Sequence, residues 1–540
     1  MKVIKISLIS FLWIILSSGS LANKNRTENW WKEGVFYQIY MPSYADSDGN
    51  GYGDFKGMTT KLDYLQKLGV KGIWLTPFLK SPKIDNGYDV ASYYDIDTTY
   101  GNTEDFKKYL AEAHNRGIKV IMDLVVNHTS TDSKWFTESR KSVDNPYRDY
   151  YIWRDKPNNW ESFFGGKAWQ LDTLTNQYYY HKFDVRMADL NWSNPKVIEE
   201  IENVLRYWLD LGVDGFRLDV INFLTTDGIT EDNPVKNGRQ EHIHDINQKG
   251  VKDAMRKIRK VVDEYDNRFI VGEIGSDKID VLKQYQAPDL MDVVFNFNFG
   301  SIPKFSGQRI FDELISMEKN MSGYPTLFFG SHDMPRMLDR LAAGNPDKAI
   351  ALAALMLTAK GIPFIYYGEE IGMKNILART IEEIADIQGR THYKLALDSG
   401  KTPAEALIKG NENNRDKSRS PMQWSGEPFA GFSSGKTWIK IHSDYRKANV
   451  RYLTKINNSI LDRYEDLIAL RNREKVLQYG KYDRLEYLKE EILFSRSYAG
   501  DTITVRVNFG FEKQVKIPPG AKLLMGNTRV ESNDFIIYKN

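Results

Sequence analysis

Cysteine is absent from all 540 residues, which excludes disulfides, thiol nucleophiles and a lipid-anchored N-terminal cysteine. An excess of either charge is missing too. Lys and Arg number 74 and Asp and Glu 72, so the formal net charge of +2 gives no electrostatic case for a nucleic-acid partner. Long apolar runs are confined to the N-terminus, where Lys2 and Lys5 precede an apolar stretch over residues 6–16 and Ser20-Leu21-Ala22 offers small residues to a signal peptidase. That stretch is too short for a membrane span. Residues 1–22 therefore read as a cleavable signal peptide, and the mature protein as secreted or periplasmic with no membrane partner. Internal repeats and low-complexity tracts are lacking as well.

What is present is ordinary in bulk and specific in pattern. At 41% hydrophobic and 27% charged, a chain of this length can bury a large core and fill one big domain with smaller ones attached. From residue 35 onward short apolar runs alternate with amphipathic helical stretches, the signature of a parallel α/β sheet. The runs are 35–40, 72–76, 119–124, 215–219, 269–273, 293–297, 326–329 and 363–367. Eight of them, most ending in polar residues, predict a (β/α)8 TIM barrel over 28–127 and 189–478, with its site at the C-terminal ends of the strands.

Between the runs, Asn194-Pro195 caps a helix that carries Val197, Ile201, Val204, Trp208 and Leu211 on one face until Gly212 stops it. Phe106, Leu110 and Ala113 mark another that ends at Gly117. The connection after the third run is far longer than a βα loop and rich in aromatics, so residues 128–188 are expected to form an inserted domain. Residues 374–419 make a second excursion, expected over the barrel mouth. At the C-terminal end Ile503, Val505, Val507 and Phe509 alternate with polar residues, predicting an antiparallel β-sandwich domain over 479–540.

Gly215-Phe216-Arg217-Leu218-Asp219-Val220 is the stretch around which the chemistry gathers. An Arg that cannot lose its proton, two residues before a carboxylate, holds that carboxylate ionised, and an ionised carboxylate can attack carbon. Other runs end comparably: Asp123 and Asn127-His128 after the third, Glu273 after the fifth, His332-Asp333 after the seventh. A barrel brings such ends around one axis. Converging carboxylates of this kind suit glycoside cleavage, in which one attacks the anomeric carbon and another, with raised pKa, protonates the leaving oxygen. The chain's 31 Tyr, 26 Phe and 12 Trp supply faces that stack on sugar rings as well as packing the core.

These four stretches resemble the signature regions of the α-amylase family of glycoside hydrolases, family 13, in order and at plausible spacings. The resemblance implies Asp219 as nucleophile, Glu273 as general acid/base and Asp333 as transition-state stabiliser. It further implies that Arg217 orients Asp219, that His128 and His332 bind hydroxyls in the −1 subsite, and that Asp123 is a supporting acid. Asp85-Asn86-Gly87-Tyr88-Asp89 and the block Arg415-Asp416-Lys417-Ser418-Arg419-Ser420-Pro421-Met422-Gln423-Trp424 are similar to motifs of the oligo-1,6-glucosidase, dextran glucosidase and α-glucosidase branch. By that likeness Tyr88 stacks under the −1 ring, Asp85 holds terminal hydroxyls, and Arg419 pairs with Asp85 to close the pocket for exo action. Phe164 and Phe183 line the +1 side.

Asp46-Ser47-Asp48-Gly49-Asn50-Gly51-Tyr52-Gly53-Asp54 alternates oxygen ligands with small residues, as a hard-cation loop requires. The branch's matching loop implies structural Ca²⁺ held by Asp46, Asp48, Asn50, the Tyr52 carbonyl and Asp54. Val220 after the nucleophile is similar to members that prefer α-1,6 bonds. Met187 departs from those members, which carry Gln there, and Ser331 stands where Asn is usual. The expectation is a monomeric, retaining exo-α-glucosidase for short α-1,6-linked glucosides, with an α-1,4-glucosidase, sucrose isomerase or transglucosylase as enzymatic alternatives. A catalytically silent sugar-binding or partner subunit is the other class, against which Asp219, Glu273 and Asp333 stand together.

Overall fold

Eight short parallel strands form the centre: β1 (Phe36–Ile39), β2 (Gly72–Leu75), β3 (Lys119–Leu124), β4 (Gly215–Leu218), β5 (Phe269–Gly272), β6 (Val293–Val294), β7 (Thr326–Leu327) and β8 (Ile362–Tyr366). The computed structural model describes residues 29–540, so the expected signal peptide lies outside the described residues. Consecutive strands pair in the order 6-5-4-3-2-1-8-7, and the ladder is open only between β6 and β7. The result is a nearly closed barrel whose strands coincide with the eight predicted runs. The sixth and seventh keep only two ladder residues each, and Phe297 begins a short helical turn instead of ending a strand.

Both faces of these strands are buried, which is why they read as continuous apolar runs rather than alternation. Inside the barrel, Phe36 stacks on Phe364 at 4.6 Å and on Phe269 at 5.2 Å, with Trp74, Ile121, Phe295 and Phe328 filling the layers above. Outside it, α1 (Thr103–Asn115) starts where Asn102 accepts from the amides of Glu104 and Asp105. α2 (Pro195–Asp210) has the expected Asn194 cap and buries Val197, Ile201, Val204 and Trp208. α3 (Pro346–Thr358) is buried at every position from Ala349 onward.

The chain leaves the barrel after β3 and returns through a neck in which His128–Ser130 pairs antiparallel with Met187–Asp189. Between these lies a three-stranded antiparallel sheet of Trp153–Arg154, Gln177–Tyr180 and Trp169–Asp172. After β8 the chain makes a helical hairpin, α4 (Ile387–Asp398) and α5 (Pro403–Asn413), the second opened by a Thr402/Glu405 capping box. A last barrel helix, α6 (Ile460–Arg473), leads to a five-stranded antiparallel sheet that packs on α3. A two-stranded ribbon, Lys513–Gln514 with Arg529–Val530, lies beside that sheet. No described helix is long and apolar enough to cross a membrane.

Candidate active site

Side chains two apart on a strand share a face, so β4 sends Arg217 and Asp219 to the same side, at the barrel mouth. The Arg217 guanidinium donates to Asp219 at 2.6 Å, to Asp123 at 2.7 Å, and to Glu273. It also lies 5.2 Å from the Trp74 ring. Three carboxylates from the ends of β3, β4 and β5 thus divide one buried cation, and they cannot all stay ionised. Burial pushes Glu273 up to about 8, against the pull of Arg217 and with Asp219 and Asp333 adding to the rise. Burial also raises Asp219, to about 7 despite Arg217, so the guanidinium does not hold this carboxylate in the usual ionised range as the sequence implied. Glu273 therefore keeps its proton at neutral pH and is poised as an acid beside Asp219.

Asp333 is tuned the opposite way. Burial would raise it, but His332, Arg415 and Arg419 outweigh that and hold it well below the usual carboxylate range. His332 stays neutral, pushed down to about 3 by burial. Its tautomer follows from its partners. The Gln38 amide donates to Nδ1 at 2.7 Å, so Nε2 carries the proton and faces the Tyr88 hydroxyl at 2.6 Å, which donates onward to Asp123 at 2.9 Å. The Tyr88 ring lies parallel to His332, centroids 5.4 Å apart. His128, pushed to about 4 by burial, contacts the Tyr88 carbonyl at 3.2 Å and packs on Phe183.

One end of the site is blocked, though not as the sequence implied. Asp85 pairs with Arg415 at 2.5 Å, not with Arg419. Arg419 lies deeper, donating to the His332 carbonyl at 2.8 Å and to Asp333 at 3.2 Å. Arg415 begins one turn of helix, Arg415–Ser418, and Arg419 directly follows it, so spacing alone does not say which reaches the pocket. Sequence reasoning also missed Asp386, which is fully buried, caps α4 and binds Arg415 at 2.6 Å. Its one trace in the sequence is a capping position three residues before Gly389, which says nothing of burial. Asp85 is presented by a tight turn in which Asn86 and Gly87 have φ of 49° and 105°. A side chain at Gly87 would meet the Pro77 carbonyl at 2.9 Å.

Above the acids lies a cavity of about 300 Å³. Asp85, Tyr88, His128, Asp219, Glu273, His332, Asp333 and Arg415 form its floor and closed end. Its outer wall holds the expected Phe164, Phe183 and Val220, together with Phe163, Met187, Phe297 and Gln388. Among these Phe163, Phe297 and Gln388 were not foreseen. Gln388 comes from α4, which brings the second excursion to the barrel mouth as predicted. Val220 adopts φ 39°, ψ 46°, a left-handed backbone costly for a β-branched residue. The turn aims its side chain into the cavity immediately after Asp219.

Away from the cavity, ligand oxygens of Asp46, Asp48 and Asp54 lie within 4.8 Å of one another. Asp46 accepts from the amides of Asp48, Gly49 and Gly51, and Asn50 accepts from that of Tyr52, so the loop coils around its own carboxylates. Such an all-oxygen donor set fits a hard divalent cation.

Residues 38–480 match the alpha-amylase catalytic domain family. The chain is 39% identical over 511 residues to the oligo-1,6-glucosidase of Parageobacillus thermoglucosidasius, covering 89% of this chain and 90% of that one. Its structure superposes on trehalose-6-phosphate hydrolase of Bacillus licheniformis with a TM-score of 0.85 at 36% identity, over 94% of this chain and 99% of that one. The trehalulose synthase of Pseudomonas mesoacidophila MX-45 gives 0.88 at 32% identity, over 94% and 99%. A barrel with acids on its third, fourth, fifth and seventh strand ends, matched along most of its length, makes this chain a member of the alpha-amylase family of glycoside hydrolases, family 13.

Proposed function

We propose that the protein is a retaining, exo-acting α-glucosidase that hydrolyses short, uncharged α-1,6-linked glucosides of the isomalto-oligosaccharide type. The observation that carries this reading is the cavity's polarity. Its closed end is stopped by the Arg415–Asp85 pair, and Arg415 is the sole cation among the described lining residues, committed to Asp85 and Asp386. A blocked end admits one terminal sugar, and an outer wall without Lys or free Arg favours a neutral leaving group over a phosphorylated one. That separates the reading from the activity named for the trehalose-6-phosphate hydrolase relative and agrees with the name of the oligo-1,6-glucosidase relative.

The chemistry follows from the protonation pattern. Asp219, oriented by Arg217, attacks the anomeric carbon while Glu273 gives its proton to the glycosidic oxygen, releasing the first sugar and leaving a covalent glucosyl ester. Water then attacks the same carbon, with Glu273 taking its proton, and the two inversions restore the α configuration. Asp333, ionised throughout, accepts hydrogen bonds from ring hydroxyls as positive charge develops. Val220 supports the α-1,6 preference because its branched side chain narrows the place where the leaving sugar lies, a discrimination of about 1–3 kcal/mol. The reading includes structural Ca²⁺ in the 46–54 loop, held by side-chain oxygens of Asp46, Asp48, Asn50 and Asp54 and the Tyr52 carbonyl, where it would crosslink the loop. It also includes export, supported by the charged and apolar pattern of residues 1–22.

Isomaltose, panose, maltose, sucrose and trehalose 6-phosphate, offered separately and followed by proton NMR, test the proposal. Isomaltose and panose should release α-glucose first and turn over fastest, and Asp219→Asn should abolish this while the variant stays folded. β-Glucose as the first glucose from panose, whose leaving group is maltose, refutes retention. Faster turnover of maltose or trehalose 6-phosphate refutes the substrate assignment, and a new disaccharide from sucrose refutes hydrolysis as the main reaction.

A further inference from the structure

Lys182 and Asp245 form an ion pair outside the catalytic group but directly behind the cavity's outer wall. The Lys182 ammonium donates to the Asp245 carboxylate at 2.5 Å, and both side chains are at most 1% exposed. Lys182 belongs to the inserted region and immediately precedes Phe183. Asp245 belongs to the segment that follows the nucleophile strand on its way to the helix Val251–Val262. We propose that this pair is a positioning device for the leaving-group sugar, locking the post-β4 segment onto the inserted region and so fixing Phe183 and Phe163 on the acceptor side. The inference rests on the glucosidase reading above and concerns the +1 side of that same site.

The pair is the inner half of a longer clasp. Asn159 of the inserted region donates to the Asn233 carbonyl at 2.7 Å, and the Asn233 amide donates back to the Asn159 side chain at 2.8 Å. The Trp160 indole donates to the Glu231 carbonyl at 2.9 Å, and the Gln240 amide to the Asn159 carbonyl at 2.7 Å. His242 contacts Asp245 at 2.9 Å from the solvent side. Every one of these bonds joins the two segments or braces the one that carries Asp245.

The clasp ends on the wall. The Ser162 hydroxyl, from the same inserted segment, holds the Phe183 carbonyl at 2.7 Å. The Phe183 and Phe163 rings pack edge-on against Phe223 at 5.7 and 5.8 Å, and the Lys182 ammonium lies 5.8 Å from that ring. Phe223 is three residues beyond Val220, so the aromatic wall and Val220 are parts of one construction. A buried ammonium is tolerated only with its counter-charge, so Lys182 can hold this place only while the Asp245 segment is docked. Asp219, Glu273 and Arg217 are placed by barrel strands and do not depend on the clasp.

The separation gives the test. Isomaltose presents a leaving sugar to the wall, whereas α-glucosyl fluoride fills the −1 subsite and leaves as an ion too small to reach it. For Asp245→Asn, kcat/KM on isomaltose should fall about tenfold or more, chiefly through KM, while α-glucosyl fluoride changes by no more than about twofold. Asp245→Glu, which keeps the charge, should recover part of the loss. Equal loss on both substrates, or no loss on either, overturns the proposal. A wild-type enzyme that turns over neither substrate defeats the glucosidase reading instead. Should Asp245→Asn fail to fold, Asn233→Ala loosens the clasp from its outer half, with the same expected split and the same refutations.

Discussion

Glu273 holds its proton because it is buried beside Asp219 and Asp333 and has only a shared guanidinium to offset that, which makes the pH profile a measurement of the cluster. Its pKa in the folded protein is raised to about 8, so under the proposed role for Glu273 the acid form is present below that value and lost above it, placing an alkaline limb in kcat/KM near pH 8. Asp123→Asn removes a like charge and frees the Arg217 bond now made at 2.7 Å, and both changes stabilise ionised Glu273. The alkaline limb should then move down by about one unit, about 1.4 kcal/mol. A limb that stays in place or moves up in this variant would show that Glu273 does not belong to a shared-charge group. The places of Asp219 and Glu273 were legible because strand spacing and strand ends dictate where they point. The partner of Asp85 was not, since Arg415 and Arg419 are separated by one helical turn and only packing decides which one surfaces. Asp386 was hidden for a related reason: nothing in a charge-rich excursion marks one carboxylate as buried.

At the scale of elements, all eight strands could be read in advance because burial on both faces forces uninterrupted apolar runs, and α2 because its cap, first-turn proline and apolar stripe agree. The left-handed turn at Val220 could not, because a β-branched residue is a poor signal for that backbone. The loop 46–54 lies between these cases: its ligand pattern was visible, but its structural consequence was not. Asp54 accepts from the Gly57 amide at 2.7 Å and thereby caps the short helix Phe55–Thr59, while also accepting from Ser47. A cation drawing Asp46, Asp48 and Asp54 together would therefore stiffen both the loop and the helix start. In excess Ca²⁺ such a site stabilises the fold by about 2–3 kcal/mol at roughly a hundred times its Kd. Calorimetry should accordingly give a Tm several degrees higher in CaCl2 than in EDTA, with Asp46→Ala erasing the difference. Equal Tm values for the wild type in both buffers would remove Ca²⁺ from the loop.

Across the whole molecule, buried cations bound to main-chain carbonyls brace the junction between the barrel and the C-terminal sheet, beside the Lys539–Glu474 ion pair at 3.6 Å. Arg496, from the sheet strand Glu491–Tyr498, donates to the carbonyls of Thr358 at 2.8 Å and Ala359 at 3.0 Å, and also to those of Leu477 and Gly480. Arg471, from α6, donates to Leu357 at 2.9 Å and Gly361 at 2.7 Å. Both are fully buried, and burial pulls Arg471 down to about 9 and Arg496 to about 10. Two such cations persist because α3 ends there: its last carbonyls have no intrahelical partner, and the negative end of its dipole faces them. Gly361 immediately precedes β8, so the same bonds anchor the strand after which the chain passes to Asp386 and Arg415. Arg496→Met keeps the apolar stem but orphans those carbonyls. It should cost about 2–4 kcal/mol and lower Tm, with the sheet melting ahead of the barrel as a separate calorimetric transition. Arg496→Lys, with fewer donors, should fall between. Because the acids sit at the opposite ends of β3, β4 and β5, kcat on isomaltose well below the first transition should be unchanged. A single transition at the wild-type Tm in Arg496→Met would mean that apolar packing against α3 alone holds the sheet in place.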